Sequence, residues 1–264
     1  SLACAQDYND DQIKEAMAFI DWLTSNNFVF LGYAEVSFNP DKPAQASVDT
    51  DSFLGISRED DIPKEVNTSP ELIDVRKANR RAPIHRHILM DVITIKRQDA
   101  KQRINGEYRF YGLFSSATYH QNVEAIPYVR LKTQRIAKHA QFHPGGHNSK
   151  VLRAIIQFLP RDELLQIHEA ELFELCMGLL MLQSQPRVYL YARRDVTRRY
   201  ISALIFIPRE LFSTDIRQQV QEIIEQHFNA TLEGFTTQIQ ESPLARIHLM
   251  LRTTDTTPDI LAID

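Results

Sequence analysis

Cysteine and glycine are both scarce in this chain, and each scarcity excludes a class of protein. Only two of the 264 residues are cysteines, Cys4 and Cys176, and they do not form a C-x-x-C pair. This excludes a disulfide scaffold and favours a reducing, cytoplasmic setting. The eight glycines include no three at the G-x-G-x-x-G spacing that lets a backbone approach a pyrophosphate. We therefore expect no cofactor site, and no NAD binding, within this chain.

Long apolar runs and an excess of positive charge are also absent. The most apolar run, Leu175 to Leu182, is far shorter than the roughly 20 residues needed to cross a bilayer. The net charge is −4, so neither nucleic acid nor a membrane is an expected partner. Because the chain begins without Met and stops just after a strand-like run, we expect it to be a piece of a longer protein.

The first half of the chain has the pattern of an α+β domain. An apolar stripe predicts a helix over 9–26. Branched and aromatic runs predict strands over 28–38, 88–96 and 108–114. Residues 39–70 are polar and contain four prolines, which favours a long loop, and Asn105-Gly106 predicts the turn before the last strand. With a closing helix over 123–140, this order predicts an antiparallel PAS-like sheet domain at residues 1–140.

The second half follows the linker-like Pro144-Gly145-Gly146 run. Helices are predicted over 149–158, from 160 and over 169–183. Strands are predicted over 188–192, 200–207, 232–240 and 245–252, with a helix over 214–228. Counted from the third helix this order is αββαββ, which is βαββαβ with its first strand moved to the end. We predict a ferredoxin-like (ACT-like) domain at residues 141–264 with preceding helices, and with two helices on one face of its sheet.

Strand 200–207 is apolar on both faces, although two helices can cover only one. The second face would leave a contiguous apolar patch. Its members are Tyr189, Tyr191, Leu204 and Phe206. We predict that this patch contacts another domain or a second copy of the chain. The alternation within 245–252 predicts that its sheet has a solvated face.

Patterns for catalysis and metal binding fail on spacing. His85 and His87 lack a third ligand, and the set His139, His143 and His147 is interrupted by a proline and two glycines. There is no G-x-S-x-G motif, and Cys176 lies in an apolar helix, where a thiol is usually inert. We expect no catalytic residue and no metal site.

Arginines are concentrated at two places. The first group precedes the strand at 88 and contains Arg80, Arg81 and Arg86. The second group lies at a predicted hairpin and contains Arg193, Arg194, Arg198 and Arg199. Charged runs are usually solvated surface or partners in salt bridges. The alternative is docking of an anionic surface or capture of a carboxylate effector, because a guanidinium matches a carboxylate with paired donors.

Seven sequence blocks, taken in order, resemble the N-terminal region of the large NAD-specific glutamate dehydrogenases. They are FLGY (30–33), HR through DVITIK (85–96), GEYRFYGLF (106–114), IPYVR (126–130), PRDEL (160–164), IPR (207–209) and ESPLAR (241–246). In that family a sensor-like domain is followed by ACT-like domains ahead of the dehydrogenase core. No block matches the core motifs, so the resemblance carries no catalytic residue onto this chain.

The resemblance implies a non-catalytic regulatory and assembly segment. The parent reaction would be oxidation of L-glutamate to 2-oxoglutarate and ammonia, with NAD bound in the catalytic domain. The implied partners are that catalytic domain and other subunits of a homo-oligomer, with a small-molecule effector as a further candidate. A free-standing small-molecule sensor, unrelated to a dehydrogenase, is the alternative, and a standalone enzyme comes third.

Overall fold

The computed structural model describes residues 7–58, 62–67, 69, 71–84, 88–183, 187–195, 197–239 and 242–259. The chain forms two compact units that divide after Gln141, except that Leu164–Ile167 groups with the first unit. Each unit contains one antiparallel sheet. The predicted α+β fold class, a PAS-like sheet domain followed by an ACT-like domain, is confirmed.

The first unit is built on a five-stranded sheet. Its helices and strands are α1 (Asp10–Trp22), β1 (Phe28–Asn39), β2 (Lys42–Gly55), β3 (Ile73–Arg81), β4 (Leu89–Gln98), β5 (Ile104–Phe114), α2 (Ser116–His120) and α3 (Val129–Ala140). The strand order is β2-β1-β5-β4-β3, and all neighbours are antiparallel. One face of this sheet packs around Ala34, Val92 and Leu113.

The two strands that the sequence did not predict lie at the two edges of this sheet. The predicted loop 39–70 contains β2, and the basic segment around Arg80 and Arg81 is β3. An edge strand pairs on one side only and can keep its outer surface polar. Pro43 is tolerated in β2 for the same reason. Neither strand therefore shows the apolar alternation on which strand prediction depends.

The hairpin turn between β4 and β5 also differs from the prediction. Asn105 and Gly106 lie within β5. The turn lies at Asp99–Gln102, where the Asp99 carboxylate accepts hydrogen bonds from the backbone N–H of Lys101 at 2.8 Å and of Arg103 at 3.0 Å. A Cβ at Gly106 would lie 2.7 Å from Arg97 Nη2. Glycine is needed there for the close approach of Arg97.

Two helices are shorter than predicted because residues with positive φ interrupt them. The helix predicted over 9–26 is α1, and it is followed by a π-type turn in which Asn26 has a φ of +62°. The helix predicted over 123–140 is α3, which starts later because Tyr128 has a φ of +67°. Both values lie in the left-handed region, which a continuous helix cannot contain.

The second unit is built on a four-stranded sheet. Its helices and strands are α4 (His147–Phe158), α5 (Arg161–Gln166, shared with the first unit from Leu164 on), α6 (Glu169–Leu182), β6 (Tyr189–Arg194), β7 (Tyr200–Pro208), α7 (Thr214–Phe228), β8 (Thr231–Gln238) and β9 (Leu244–Arg252). The strand order is β6-β7-β9-β8. The last strand thus lies between β7 and β8, as expected when the first strand of a βαββαβ unit is moved to the end.

The helices of this unit lie on both faces of the sheet. On one face, α7 packs Ile224 and Phe228 against Ile201 and Ile205 of β7. On the other face, Phe158 of α4 approaches Phe206, and α6 lies against β6. The prediction of two helices on one face is wrong. The prediction of a solvated face for β9 is also wrong, because both sides of the strand are covered.

The N-terminus of α7 depends on a side-chain cap. Ser213 Oγ accepts a hydrogen bond from the backbone N–H of Ile216 at 3.1 Å. We expect Ser213→Ala to lower the free energy of unfolding by about 1 kcal/mol, because one N–H at the helix start loses its partner. Urea unfolding followed by circular dichroism measures this loss. Thr214→Ala, at the exposed first position of the helix, is the control and should change it by less than about 0.5 kcal/mol. Equal losses would contradict the capping role.

Candidate functional site

The predicted contact patch of the second sheet is covered by helices of its own unit. Leu204 is 0% exposed and Phe206 1%. The ring centre of Phe206 lies 6.5 Å from that of Phe158 and 6.3 Å from that of Tyr189. The prediction that Leu204 and Phe206 meet another domain or a second copy is therefore corrected. Tyr189 and Tyr191 are half-buried beside α6.

Glycine allows α6 to approach this face closely. A Cβ at Gly178 would lie 2.7 Å from Tyr189 Oη. A larger residue at this position of α6 would force the tyrosine or the helix to move. The close approach explains how one helix, apolar on most of its surface, covers the tyrosine side of β6.

A hydrogen-bonded ion pair lies under this helical layer. Arg193 donates from Nε to Glu163 Oε1 at 2.8 Å and from Nη2 to Glu163 Oε2 at 3.3 Å. Ser202 Oγ donates to the same carboxylate at 2.5 Å and lies 2.9 Å from His248 Nε2. Because the serine proton goes to the carboxylate, His248 Nε2 must donate to the serine oxygen. Arg193, predicted to dock an effector, is instead committed to Glu163.

Burial alone would raise the pKa of Glu163, but the charge of Arg193 and the hydrogen bonds to the carboxylate lower it below its ordinary value. The carboxylate is therefore ionised at neutral pH. Ser202 donates to a carboxylate whose pKa is lowered by Arg193, so Glu163 is too weak a base to activate the hydroxyl for attack. The arrangement differs from a Ser-His-acid triad, in which histidine lies between the other two groups.

The remaining predicted arginines are distributed over both units. At the β6–β7 hairpin, Arg198 is exposed with a φ of +58°, Arg199 is half-buried, and Arg194 has a guanidinium nitrogen 4.0 Å from Asp259. Arg80 and Arg81 are half-buried in β3. Arg86 lies outside the described residues, as do His85 and His87. Three of the four hairpin arginines are thus exposed or half-buried, and the fourth, Arg193, is buried.

A second cluster of buried charges lies in the first unit, and the sequence analysis did not predict it. Glu107 accepts from Lys96 Nζ at 2.8 Å through Oε1 and from Arg109 Nε at 2.9 Å through Oε2. All three side chains are almost fully buried. Arg109 also donates to the Glu65 carbonyl at 2.5 Å, and the Asn67 N–H donates to Glu107 at 2.8 Å. The cluster therefore fastens the segment between β2 and β3 onto the sheet.

The signal for this cluster was present in the sequence. Lys96, Glu107 and Arg109 fall on one side of otherwise apolar strands, where a charged residue needs a partner. Lys96 faces Glu107 across the β4–β5 pair, but that register depends on the turn at Asp99–Gln102, which the sequence placed elsewhere.

Reactive chemistry is limited in the described part of the chain. Burial raises the pKa of Cys176 to about 12, so this thiol is protonated and inert at neutral pH. The described residues contain no group of three or more histidine, cysteine or acidic side chains arranged to hold a metal ion. Among the described helices, none has the length and apolar character required to span a membrane.

Comparison with protein families supplies the context for these units. Residues 189–264 match the glutamate dehydrogenase ACT2 domain, and residues 126–185 match glutamate dehydrogenase helical motif 1. An NAD-specific glutamate dehydrogenase of Halomonas elongata is 36% identical over 253 residues, which is 90% of this chain and 16% of that protein. The chain belongs to the family of the large NAD-specific glutamate dehydrogenases.

Two further NAD-specific glutamate dehydrogenases are similar to this chain. The protein of Pseudomonas aeruginosa is 31% identical over 255 residues, covering 92% of the chain and 16% of that protein. The protein of Mycobacterium tuberculosis is 32% identical over 146 residues, covering 55% of the chain and 9% of that protein. The chain thus spans about a sixth of the length of the first two relatives, 16% in each case.

The two glutamate dehydrogenase matches divide the second sheet and α7 from the helices on the opposite face. The ACT2 match begins at β6 and includes the four strands and α7. The helical motif match contains α3 to α6. The helix that begins the predicted αββαββ order therefore belongs to the helical motif, which agrees with its position on the face opposite α7.

Proposed function

We propose that this chain is a non-catalytic regulatory and assembly segment of an NAD-specific glutamate dehydrogenase. The parent enzyme would convert L-glutamate, NAD and water to 2-oxoglutarate, ammonia and NADH. The observation that carries the proposal is the ordered match of helical motif 1 and the ACT2 domain, together with relatives that align over 90% of the chain or more.

The proposal assigns one role to each part of the chain. Residues 1–140 form the PAS-like domain, and residues 141–264 form the ACT-like domain with its preceding helices. Both support contacts with the catalytic domain and other subunits of a cytoplasmic homo-oligomer. NAD would bind in the catalytic domain. For an effector or an anionic docking surface, the remaining candidates are Arg80, Arg81, Arg86, Arg194, Arg198 and Arg199, since Arg193 is bound to Glu163.

We expect NAD binding and assembly to separate when the parent enzyme is divided. Calorimetric titration should show no saturable NAD binding by the 264-residue chain, because it has no Gly-rich phosphate-binding turn. The parent enzyme lacking these residues should still bind NAD, and light scattering should show fewer subunits in it than in the intact enzyme. Micromolar NAD binding by the chain, or unchanged assembly after the deletion, would contradict the proposal.

A further inference from the structure

Arg161 and Arg246 hold two guanidinium groups at the C-terminal end of α4. Arg161 Nη1 donates to the Gln157 carbonyl at 3.1 Å and to the Leu159 carbonyl at 2.8 Å. Arg246 Nη1 donates to the Phe158 carbonyl between them. The Arg246 guanidinium carbon also lies 5.1 Å from the centre of the Phe158 ring. Two like charges are thus fixed beside one short run of backbone.

Both arginines are almost removed from solvent. Arg161 is 8% exposed and Arg246 5%. Burial lowers the pKa of Arg161. Burial, together with the nearby charge of Arg161, lowers the pKa of Arg246 to about 10. A buried cation is stable only where negative charge and hydrogen-bond acceptors compensate for the lost water.

The groups around Arg246 do not supply that compensation. The C-terminus of a helix carries only about half an elementary negative charge, against a full positive charge on the Arg246 guanidinium. Glu163, a buried carboxylate of this layer, is bound to Arg193 and Ser202. Among the residues that the structure describes, Arg246 Nε has no hydrogen-bond acceptor. A donor of a buried guanidinium is therefore left for a group from outside.

We propose that Arg246 and Arg161 form a binding site for a small oxyanion, namely a carboxylate or phosphate group. A guanidinium presents donors in a rigid fork that fits two oxygens of either group. The Phe158 ring and the Phe158 carbonyl fix the plane of the Arg246 fork, which leaves Nε to bind the anion. The site lies on β9 and α5, away from the arginines of the β6–β7 hairpin. It is independent of the proposed dehydrogenase context.

The test is a titration of the ¹⁵N-labelled 264-residue chain with inorganic phosphate and, separately, with acetate. Chloride replaces the anion so that ionic strength stays constant, since screening alone shifts exposed charges. The Nε–Hε resonance of Arg246 is assigned by its loss in Arg246→Lys. We expect this resonance to shift saturably and the thermal midpoint to rise with the anion that binds, because a ligand of the native state stabilises it. The effective anion, phosphate or acetate, identifies the group.

Two arginine variants on the same strand give the matched comparison. Arg252 also lies on β9 and over an aromatic ring, that of Tyr200, but it has a carboxylate partner in Glu233. Arg246→Met should weaken anion binding by about tenfold or more, as expected for loss of a charge-assisted hydrogen bond. Arg252→Met should leave it unchanged.

Several outcomes would overturn the assignment. They are the absence of a saturable shift in the unsubstituted chain, a shift that survives Arg246→Met, and equal weakening by Arg252→Met. If Arg246→Met does not fold, Arg246→Lys preserves the charge and removes the fork. It should then bind more weakly than the unsubstituted chain, and equal binding would also reject the site.

Discussion

Glu107→Ala is expected to lower the free energy of unfolding of the first unit by about 3–5 kcal/mol, because it leaves Lys96 and Arg109 buried without their shared carboxylate. The three side chains are 1% exposed or less, so water cannot replace the lost partner. Trp22, the only tryptophan of the sequence, belongs to the first unit. Its fluorescence during urea unfolding therefore reports on this unit.

An exposed carboxylate of the same unit provides the control. Asp41 lies 3.5 Å from Arg103, and its side chain is 63% exposed. Asp41→Ala should cost less than about 1 kcal/mol, as surface ion pairs usually do. Replacing all three buried groups at once, by Lys96→Met, Glu107→Leu and Arg109→Met, should cost less than Glu107→Ala alone, because no uncompensated charge remains. If Glu107→Ala cost no more than Asp41→Ala, the cluster would not stabilise the unit.

Because of the same cluster, we expect the free energy of unfolding of the first unit to decrease at acidic pH. Burial alone would raise the pKa of Glu107, but Lys96 and Arg109 lower it below its ordinary value. A carboxyl group whose pKa is lower in the folded state than in the unfolded state stabilises the folded state. The stabilisation is complete at pH values above the unfolded-state pKa, which is about 4.3 for glutamate. That contribution is lost as the pH falls below this value and through the folded-state pKa. The loss should be absent in Glu107→Ala.

Phe206→Ala is expected to destabilise the second unit by about 3–5 kcal/mol, the usual cost of removing a buried phenylalanine ring. The Phe206 ring centre lies within 6.5 Å of the ring centres of Phe158 in α4 and Tyr189 in β6, so removing the ring leaves a cavity in a buried layer. Hydrogen exchange of the β7 amides measures the loss, because these strand amides exchange only when the sheet opens.

Phe235 of β8 is the matched control. It is 48% exposed and lies 4.3 Å from the Arg217 guanidinium carbon, so Phe235→Ala should cost about 1 kcal/mol or less. Light scattering adds a second measurement. Since Phe206 is covered by its own chain, Phe206→Ala should leave the number of associated copies unchanged. A lower molecular mass with unchanged β7 protection would restore Phe206 as a contact between copies.

The helices and strands that were predicted correctly are those whose buried face appears as a pattern of apolar residues in the local sequence. Strands β1, β4, β7 and β9 and helices α6 and α7 have apolar runs or stripes, because each buries at least one face against the core of its unit. Strands β2 and β3 lack this pattern because they lie at the sheet edges. The β4–β5 turn was predicted at the wrong place because Asn105-Gly106 is a typical turn sequence. In the structure Gly106 lies within β5, where glycine allows the close approach of Arg97.

The candidate site was likewise predicted only where local sequence carries the information. Sequence alone identified the arginine group at the hairpin, and it identified Leu204 and Phe206 as a face that must be covered. It could not identify the cover, because α4 and α6 reach that face through tertiary packing. Nor could it pair Arg193 with Glu163, which lies 30 positions earlier. Separation along the chain carries no information about which charges meet.

The sequence by itself determined the element order of the second unit, the family resemblance and the need to cover the second face of β7. These properties follow from local periodicity and from ordered blocks of residues. Tertiary structure alone decided which helices cover that face, which arginine is buried with Glu163, and that Arg246 and Arg161 lie together. Each of these depends on how distant segments pack, and burial strengthens or penalises a charge only once that packing exists.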